Sequence, residues 1–118
     1  MKKILFLGFS IVVLYSILVY AYGFDCAGPL NQSTYYKLDS GVTPTESCTY
    51  CVGCALDDVS PAVKIVVTDL NTSEDVLNLL DYNVKNSNHY FDAVYPHSYS
   101  VFVSSESTTG WALCEPAN

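Results

Sequence analysis

The sequence contains no arginine, and after its first three residues the only fixed cations are Lys37, Lys64 and Lys85. All twelve carboxylates lie in the same part of the chain, so three lysines face twelve acids and the formal charge there is −9. A surface this acidic repels phosphate groups, which argues against binding to nucleic acid and to anionic lipid headgroups. It favours a basic partner or a divalent cation instead.

Repeats, low-complexity tracts and recognisable catalytic motifs are also absent from the sequence. His89 and His97 are the only histidines. A Ser/His/Asp arrangement can be assembled from Ser98, His97 and Asp92, but no nucleophile motif surrounds these residues. We therefore interpret both histidines as surface or turn residues and expect no enzymatic activity.

One long apolar run stands at the N-terminus. Residues 4–20 carry no charge, follow two lysines and lead into small residues, which is the pattern of a secretory signal peptide cleaved after Ala21, or alternatively after Gly23. The run is also long enough to act as an uncleaved signal anchor. Both alternatives place the rest of the chain outside the cytoplasm. The sequence thus predicts a signal peptide at 1–21 and one secreted domain at 22–118.

This compartment changes how the five cysteines are interpreted. Cys48, Cys51 and Cys54 form a C-x-x-C-x-x-C pattern that would suggest a metal or redox site in a cytosolic protein. Outside the cytosol thiols pair, so the cysteines predict disulfide bonds rather than metal binding. Two glycosylation sequons, at Asn31 and Asn71, agree with a secretory route.

The remaining pattern is typical of β-strands. Short β-branched or aromatic segments at 62–70, 89–95, 99–105 and 110–115 alternate with turn-rich clusters, which predicts an all-β sandwich. The segment 73–84 fits an amphipathic helix with Ser73 as its N-cap, and fits a buried strand equally well.

Five motifs, taken in order, resemble those of the CUB domain, an extracellular β-sandwich of jelly-roll type. They are "CAGPL" (26–30), "CTYCV" (48–52), "SPAVKIVV" (60–67), "EDVLNLLD" (74–81) and "VFVSSESTTGW" (101–111). The resemblance covers nearly the whole mature chain and implies a two-sheet antiparallel sandwich in which residues 76–81 form a strand. The chain departs from the family in having no cysteine between Cys54 and Cys114.

The resemblance also implies a disulfide bond between Cys26 and Cys48. On a strand beginning near Cys48, alternation places Cys51 on one face and Cys54 on the other.

The pairing of the remaining three cysteines depends on the last strand. If Trp111 and Leu113 face the core there, Cys114 points outward. This favours a Cys51–Cys114 bond, followed by Cys54–Cys114 and then Cys51–Cys54. In the first alternative Cys54 remains as a buried thiol or joins a second chain.

The family's calcium site suggests a ligand set. Asp75 matches one of its aspartates, Asp69 is a possible substitute for its glutamate, and Glu106 follows the position of a lost aspartate. Calcium is the only cofactor that the sequence suggests.

The resemblance implies an extracellular recognition module that binds a protein or a glycan, with this acidic edge meeting a basic partner. Host defence or the extracellular matrix are its expected settings by analogy alone. The alternative is a secreted disulfide-rich effector, toxic or antimicrobial, and unrelated to CUB domains.

Overall fold

The computed structural model describes residues 26–31 and 35–117, so the expected signal peptide at 1–21 lies outside the described residues. The described part is all β, and no helix in it is long and apolar enough to cross a membrane. Its strands are β1 (Gly28–Leu30), β2 (Tyr35–Val42), β3 (Cys48–Asp69), β4 (Glu74–Ala93), β5 (Tyr99–Glu106) and β6 (Gly110–Pro116). Every pairing is antiparallel. The helical interpretation of 73–84 is wrong, because these residues lie almost entirely in β4.

A long hairpin, β3–β4, forms the spine of the fold. β3 has 22 residues and β4 has 20, and they pair with each other along both halves. The first half of β3 pairs on its other side with β6, whereas the second half pairs with β5. The pairing is interrupted by a bulge between Ala55 and Ser60, where β3 changes neighbours. Each half of the hairpin therefore belongs to a different layer.

The two layers face each other across one core. The first layer runs β1–β6–β3–β4 and the second runs β2–β5–β3–β4. Alternate residues of β3 and β5 are buried, which is the period-two pattern of strands with one face on a core. The predicted two-layer antiparallel sandwich is confirmed. The largest fully buried side chains include Tyr50, Tyr99, Leu30, Ile65, Val52, Val63, Val67, Val101 and Val103.

Three aromatic rings occupy one end of this core. Phe91 stacks on Tyr50 with ring centroids 5.6 Å apart and contacts Tyr99 at 5.2 Å. The Tyr99 hydroxyl accepts a hydrogen bond from the backbone N–H of Val94 at 2.7 Å. Tyr99 therefore buries its ring while its hydroxyl satisfies a backbone N–H group at the rim.

The observed disulfide bond joins Cys26 to Cys114, so the implied Cys26–Cys48 pairing is wrong. The reason is the neighbour of β1: this strand pairs with β6, with Gly28 opposite Ala112. Extending that register places Cys26 opposite Cys114, and the Cys26 N–H donates to the Cys114 carbonyl at 3.1 Å. The bond staples the two terminal strands of the described chain.

The favoured Cys51–Cys114 pairing is also wrong, because the residues of β6 that were expected to point outward face the core instead. Ala112 and Cys114 are fully buried, whereas Trp111 is half exposed. Cys48, Cys51 and Cys54 are free thiols. The predicted alternation on β3 is nevertheless correct, since Cys54 lies in the core and Cys51 lies on the outer face.

Candidate functional site

An open groove of about 340 Å³ lies on the outer face of the second layer. It crosses all four strands of that layer, with side chains from β4, β3, β5 and β2. Its lining consists of Tyr35, Ala62, Lys64, Leu80, Phe102, Ser104 and Glu106. The groove therefore combines apolar and aromatic surface with an ammonium, a hydroxyl and a carboxylate group.

Strand register explains why these residues meet. Lys64 lies opposite Leu80 on β4 and opposite Ser104 on β5, and Ser104 lies opposite Lys37 on β2. These four residues form one row across the layer. Outward-facing side chains in antiparallel strands stand beside their cross-strand partners, so each row is a continuous line of contacts.

A second row of outward-facing residues, two residues along the strands from the first, gives the groove its shape. Ala62 lies opposite Tyr82 on β4, and Glu106 lies opposite Tyr35 on β2. Val63 lies opposite Ser105, and the strands are antiparallel. Ala62, which precedes Val63, therefore lies beside Glu106, which follows Ser105. Tyr35 (59 % exposed) and the small side chain of Ala62 line the groove in this row, and Tyr82 (66 % exposed) stands beside Ala62, just outside the lining.

The ammonium group of Lys64 is held in place by residues that lie outside the groove. Lys64 Nζ donates to Asn78 Oδ1 at 2.7 Å, and Asn78 Nδ2 donates to Asp75 Oδ2 at 2.9 Å. The other oxygen of Asp75 accepts the Thr68 hydroxyl at 2.8 Å. These hydrogen bonds from Thr68 and Asn78 lower the pKa of Asp75. A lysine ammonium has three protons, so two remain for a ligand.

The predicted calcium set does not assemble. Asp69 pairs with Tyr99 at one end of β5, whereas Glu106 is the last residue at the other end, about 23 Å away at ~3.3 Å per residue. Asp75 is already engaged with Thr68 and Asn78. Within the described residues, no group of three or more acidic, histidine or cysteine side chains is arranged to hold a metal ion. The acidic edge expected to meet a basic partner is likewise not one surface.

Asp69 has a structural role at the turn between β3 and β4. It is buried, and its Oδ1 accepts the N–H groups of Asn71 (2.9 Å) and Thr72 (3.2 Å), while its Oδ2 lies 2.7 Å from His97 Nδ1. Burial alone would raise the pKa of Asp69, but the hydrogen bonds from His97, Asn71 and Thr72 outweigh it and lower the pKa. The side chain ties this turn to the loop that precedes β5.

A second carboxylate cluster, which the sequence interpretation missed, lies at the bend of the hairpin. Asp81 Oδ2 accepts the Ser87 hydroxyl and lies 2.7 Å from His89 Nε2. Both hydrogen bonds lower the pKa of Asp81. Serine and histidine share one carboxylate oxygen here, whereas a hydrolytic triad needs the serine on the histidine. The cluster joins the two halves of β4.

The free thiols differ in their surroundings. Cys54 is buried, and burial together with the nearby Asp81 raises its pKa to about 11. Burial also raises the pKa of Cys51, whose Sγ donates to Asn88 Oδ1 at 3.8 Å, and the pKa of Cys48. Since the thiolate is the reactive form, these shifts make the thiols poor nucleophiles.

The two predicted glycosylation positions are both exposed. Asn71 lies in the turn after β3, and its Oδ1 accepts the Ser98 N–H at 2.9 Å. Asn31 directly follows β1, and the rest of its sequon lies outside the described residues.

Most groove residues were not singled out from the sequence. Of its lining, only Glu106 was singled out as a site residue, and it was assigned there to calcium. The strand β2, which carries Tyr35 and Lys37, was not predicted. The alternation of Tyr36 and Leu38 with the charged Lys37 and Asp39 is the sequence signal that would have indicated it.

No protein-family model matches the sequence, that of the CUB domain included, and no curated protein matches it. Among solved structures, a mutant of the carbohydrate-binding module CBM29-2 is similar with a TM-score of 0.39 and 7% identity, covering 84% of this chain and 84% of that chain. A family 29 carbohydrate-binding module gives a TM-score of 0.36 and 7% identity, with 82% and 76% covered. Another CBM29-2 mutant, complexed with cellulohexaose, gives a TM-score of 0.37 and 7% identity, covering 81% of this chain and 80% of that chain. These similarities are low, and the fold described above rests on the strand register of this chain.

Proposed function

We propose that this domain is an extracellular binding module that recognises a glycan through the groove on its second layer. The observation that carries the proposal is the composition of the groove. Exposed tyrosine and apolar walls surround Lys64, Ser104 and Glu106. Ligand sites are concave, mostly apolar and equipped with a few fixed polar groups, and this groove has each of these properties.

The polar groups in the groove favour a neutral sugar. Lys64 donates hydrogen bonds, Glu106 accepts them, and the Ser104 hydroxyl does both. A sugar hydroxyl also donates and accepts, so it can pair with all three. The ammonium and the carboxylate balance each other, and an anionic or cationic ligand would leave one of them opposed to a like charge.

The binding role is proposed without catalysis. The groove holds one carboxylate, Glu106, and hydrolysis of a glycosidic bond ordinarily uses two of them flanking the bond. Secretion through the expected signal peptide belongs to the same proposal, since it brings the groove to extracellular glycans. A basic protein partner at Asp69, Asp75 and Glu106 is not proposed, because these residues do not share one surface.

Calorimetric titration with neutral oligosaccharides tests the proposal. Tyr35→Ala should weaken binding about tenfold, equivalent to ~1.4 kcal/mol, because it removes one wall of the groove. Lys64→Met should weaken it by a similar factor while keeping the apolar stem. Tyr90→Ala is the matched control: Tyr90 is 60 % exposed but lies on the outer face of the first layer. Equal losses in Tyr35→Ala and Tyr90→Ala, or no binding by the parent protein, would contradict the proposal.

A further inference from the structure

The geometry of the groove points to the direction and length of its ligand, an inference that rests on the proposed function. We propose that a neutral oligosaccharide crosses the strands, from Tyr82 on β4 to Tyr35 on β2, and occupies about three sugar rings.

The positions of the two tyrosines carry the direction. Tyr82 lies opposite Ala62, and Tyr35 lies opposite Glu106. Since Ala62 and Glu106 are the next residues beyond the Val63–Ser105 pair, Tyr82, Ala62, Glu106 and Tyr35 lie in one row. The two tyrosines are the ends of that row and are the most exposed side chains in it. The row therefore has an aromatic ring at each end, perpendicular to the strands: Tyr35 lines the groove, and Tyr82 extends the row one residue beyond Ala62, which lines it.

The strand spacing sets the length. The row crosses four strands, and three inter-strand spacings of ~4.8 Å separate its ends by about 14 Å. One pyranose ring in an extended chain is about as long as one such spacing, so about three rings fill the row.

The neighbouring row supplies hydrogen bonds along this path. Lys64 and Ser104 lie two residues along their strands from Ala62 and Glu106, and Lys37 continues the row on β2. Lys37 is paired with Asp39 at 3.4 Å, and Lys64 is held by Asn78. The polar groups thus flank the path on one side, where they face the hydroxyls of successive rings.

The test is a series of neutral hexose oligosaccharides, α- and β-linked, of increasing chain length, titrated into the whole domain. Affinity should rise with each ring up to about three and then level off. Tyr82→Ala and Tyr35→Ala should each remove the gain from the third ring, about tenfold, with thermal unfolding used to verify that both variants fold. Tyr90→Ala should follow the parent protein throughout.

The outcomes separate this inference from the proposed function. If no oligosaccharide binds, the proposed function itself is wrong. If oligosaccharides bind but affinity levels off at one ring, the crossing path is wrong. If binding depends on Tyr35 and Phe102 but not on Tyr82, the ligand runs along the strands and the crossing path is again wrong.

Discussion

Several carboxylates in this acidic domain accept hydrogen bonds within the fold, and three of them connect separate segments. Asp69 binds a turn and a loop, Asp75 anchors the network that holds Lys64, and Asp81 joins the two halves of β4. In each case hydrogen bonds to the ionised form hold the pKa below its ordinary value. Some of the acidic residues that give the sequence its negative charge thus stabilise the fold.

Asp81 makes the stability of the domain depend on pH. A group with a lowered folded pKa stabilises the fold above its unfolded pKa, here 3.8, and loses that contribution as pH falls through the lower folded value. Stability should therefore fall as the pH drops below about 4, and Asp81→Asn should make this fall shallower. Urea unfolding at several pH values measures it. Asp58, an exposed residue of β3 at the bulge, provides the control Asp58→Asn, and an unchanged slope in Asp81→Asn would exclude this role.

At the scale of elements, the bend of the β3–β4 hairpin determines the architecture. The turn-rich clusters at 57–61 and 83–88, which the sequence suggests as loops between strands, lie inside the two long strands at this bend. The Ser60 hydroxyl shares its one proton between the Ala62 carbonyl (2.8 Å) and the Glu106 carbonyl (2.9 Å), which fixes β3 where it leaves the bulge. One hairpin thereby contributes to both layers.

Gly53 is required where β4 approaches β3 before the bend. A Cβ atom at this position would lie 1.7 Å from the backbone oxygen of Ser87, closer than two atoms can come without a backbone shift. Gly53→Ala should therefore lower the free energy of unfolding by about 1–3 kcal/mol or more. Gly41→Ala is the control, since a Cβ there would lie 3.6 Å from the Tyr99 oxygen, an ordinary contact. Urea denaturation compares the two, and equal stability in both variants would contradict the close approach.

The element pattern shows what the sequence could and could not predict. Alternation in 62–70, 99–105 and 110–115 identified three strands correctly, because local side-chain periodicity encodes them. Pairing between strands is not local. The Cys26–Cys48 bond implied by the resemblance is wrong because β1 lies beside β6, which nothing in the periodicity shows. The outward Cys114 is wrong because Ala112 and Cys114, and not Trp111, face the core, and alternation alone does not say which face of a strand is buried. The groove was missed because strand pairing is not local and its lining comes from four strands.

At the scale of the whole molecule, the disulfide bond closes nearly the entire described chain into one loop. Cys26 and Cys114 are 88 residues apart, and in the chain-entropy description a loop of this length is worth about 4–5 kcal/mol. Replacing both cysteines with alanine should lower the free energy of unfolding by about 2–5 kcal/mol.

Two measurements check the disulfide prediction. Peptide mapping without reduction should recover Cys26 linked to Cys114, and any other partner of Cys26 would refute the observed staple. Cys48→Ala serves as the stability control, because this thiol is free and only half buried. If Cys48→Ala lowers the free energy of unfolding in urea as much as the double variant does, the stabilisation does not come from the disulfide bond.

The layout of the molecule also separates the expected glycosylation at Asn71 from the proposed binding face. Asn71 follows the end of β3, whereas Ala62 in the groove lies seven residues before Asp69, about 23 Å along the strand. The Oδ1 of Asn71 accepts the Ser98 N–H, so its Nδ2 remains available for a glycan. Secretion from eukaryotic cells should yield a chain that starts at residue 22 and loses mass at Asn71 on enzymatic deglycosylation. Asn71→Gln should abolish the mass change at this position and should bind oligosaccharide as tightly as the parent protein that carries the Asn71 glycan. Tighter binding by Asn71→Gln would show that this glycan reaches the groove, and would contradict this separation.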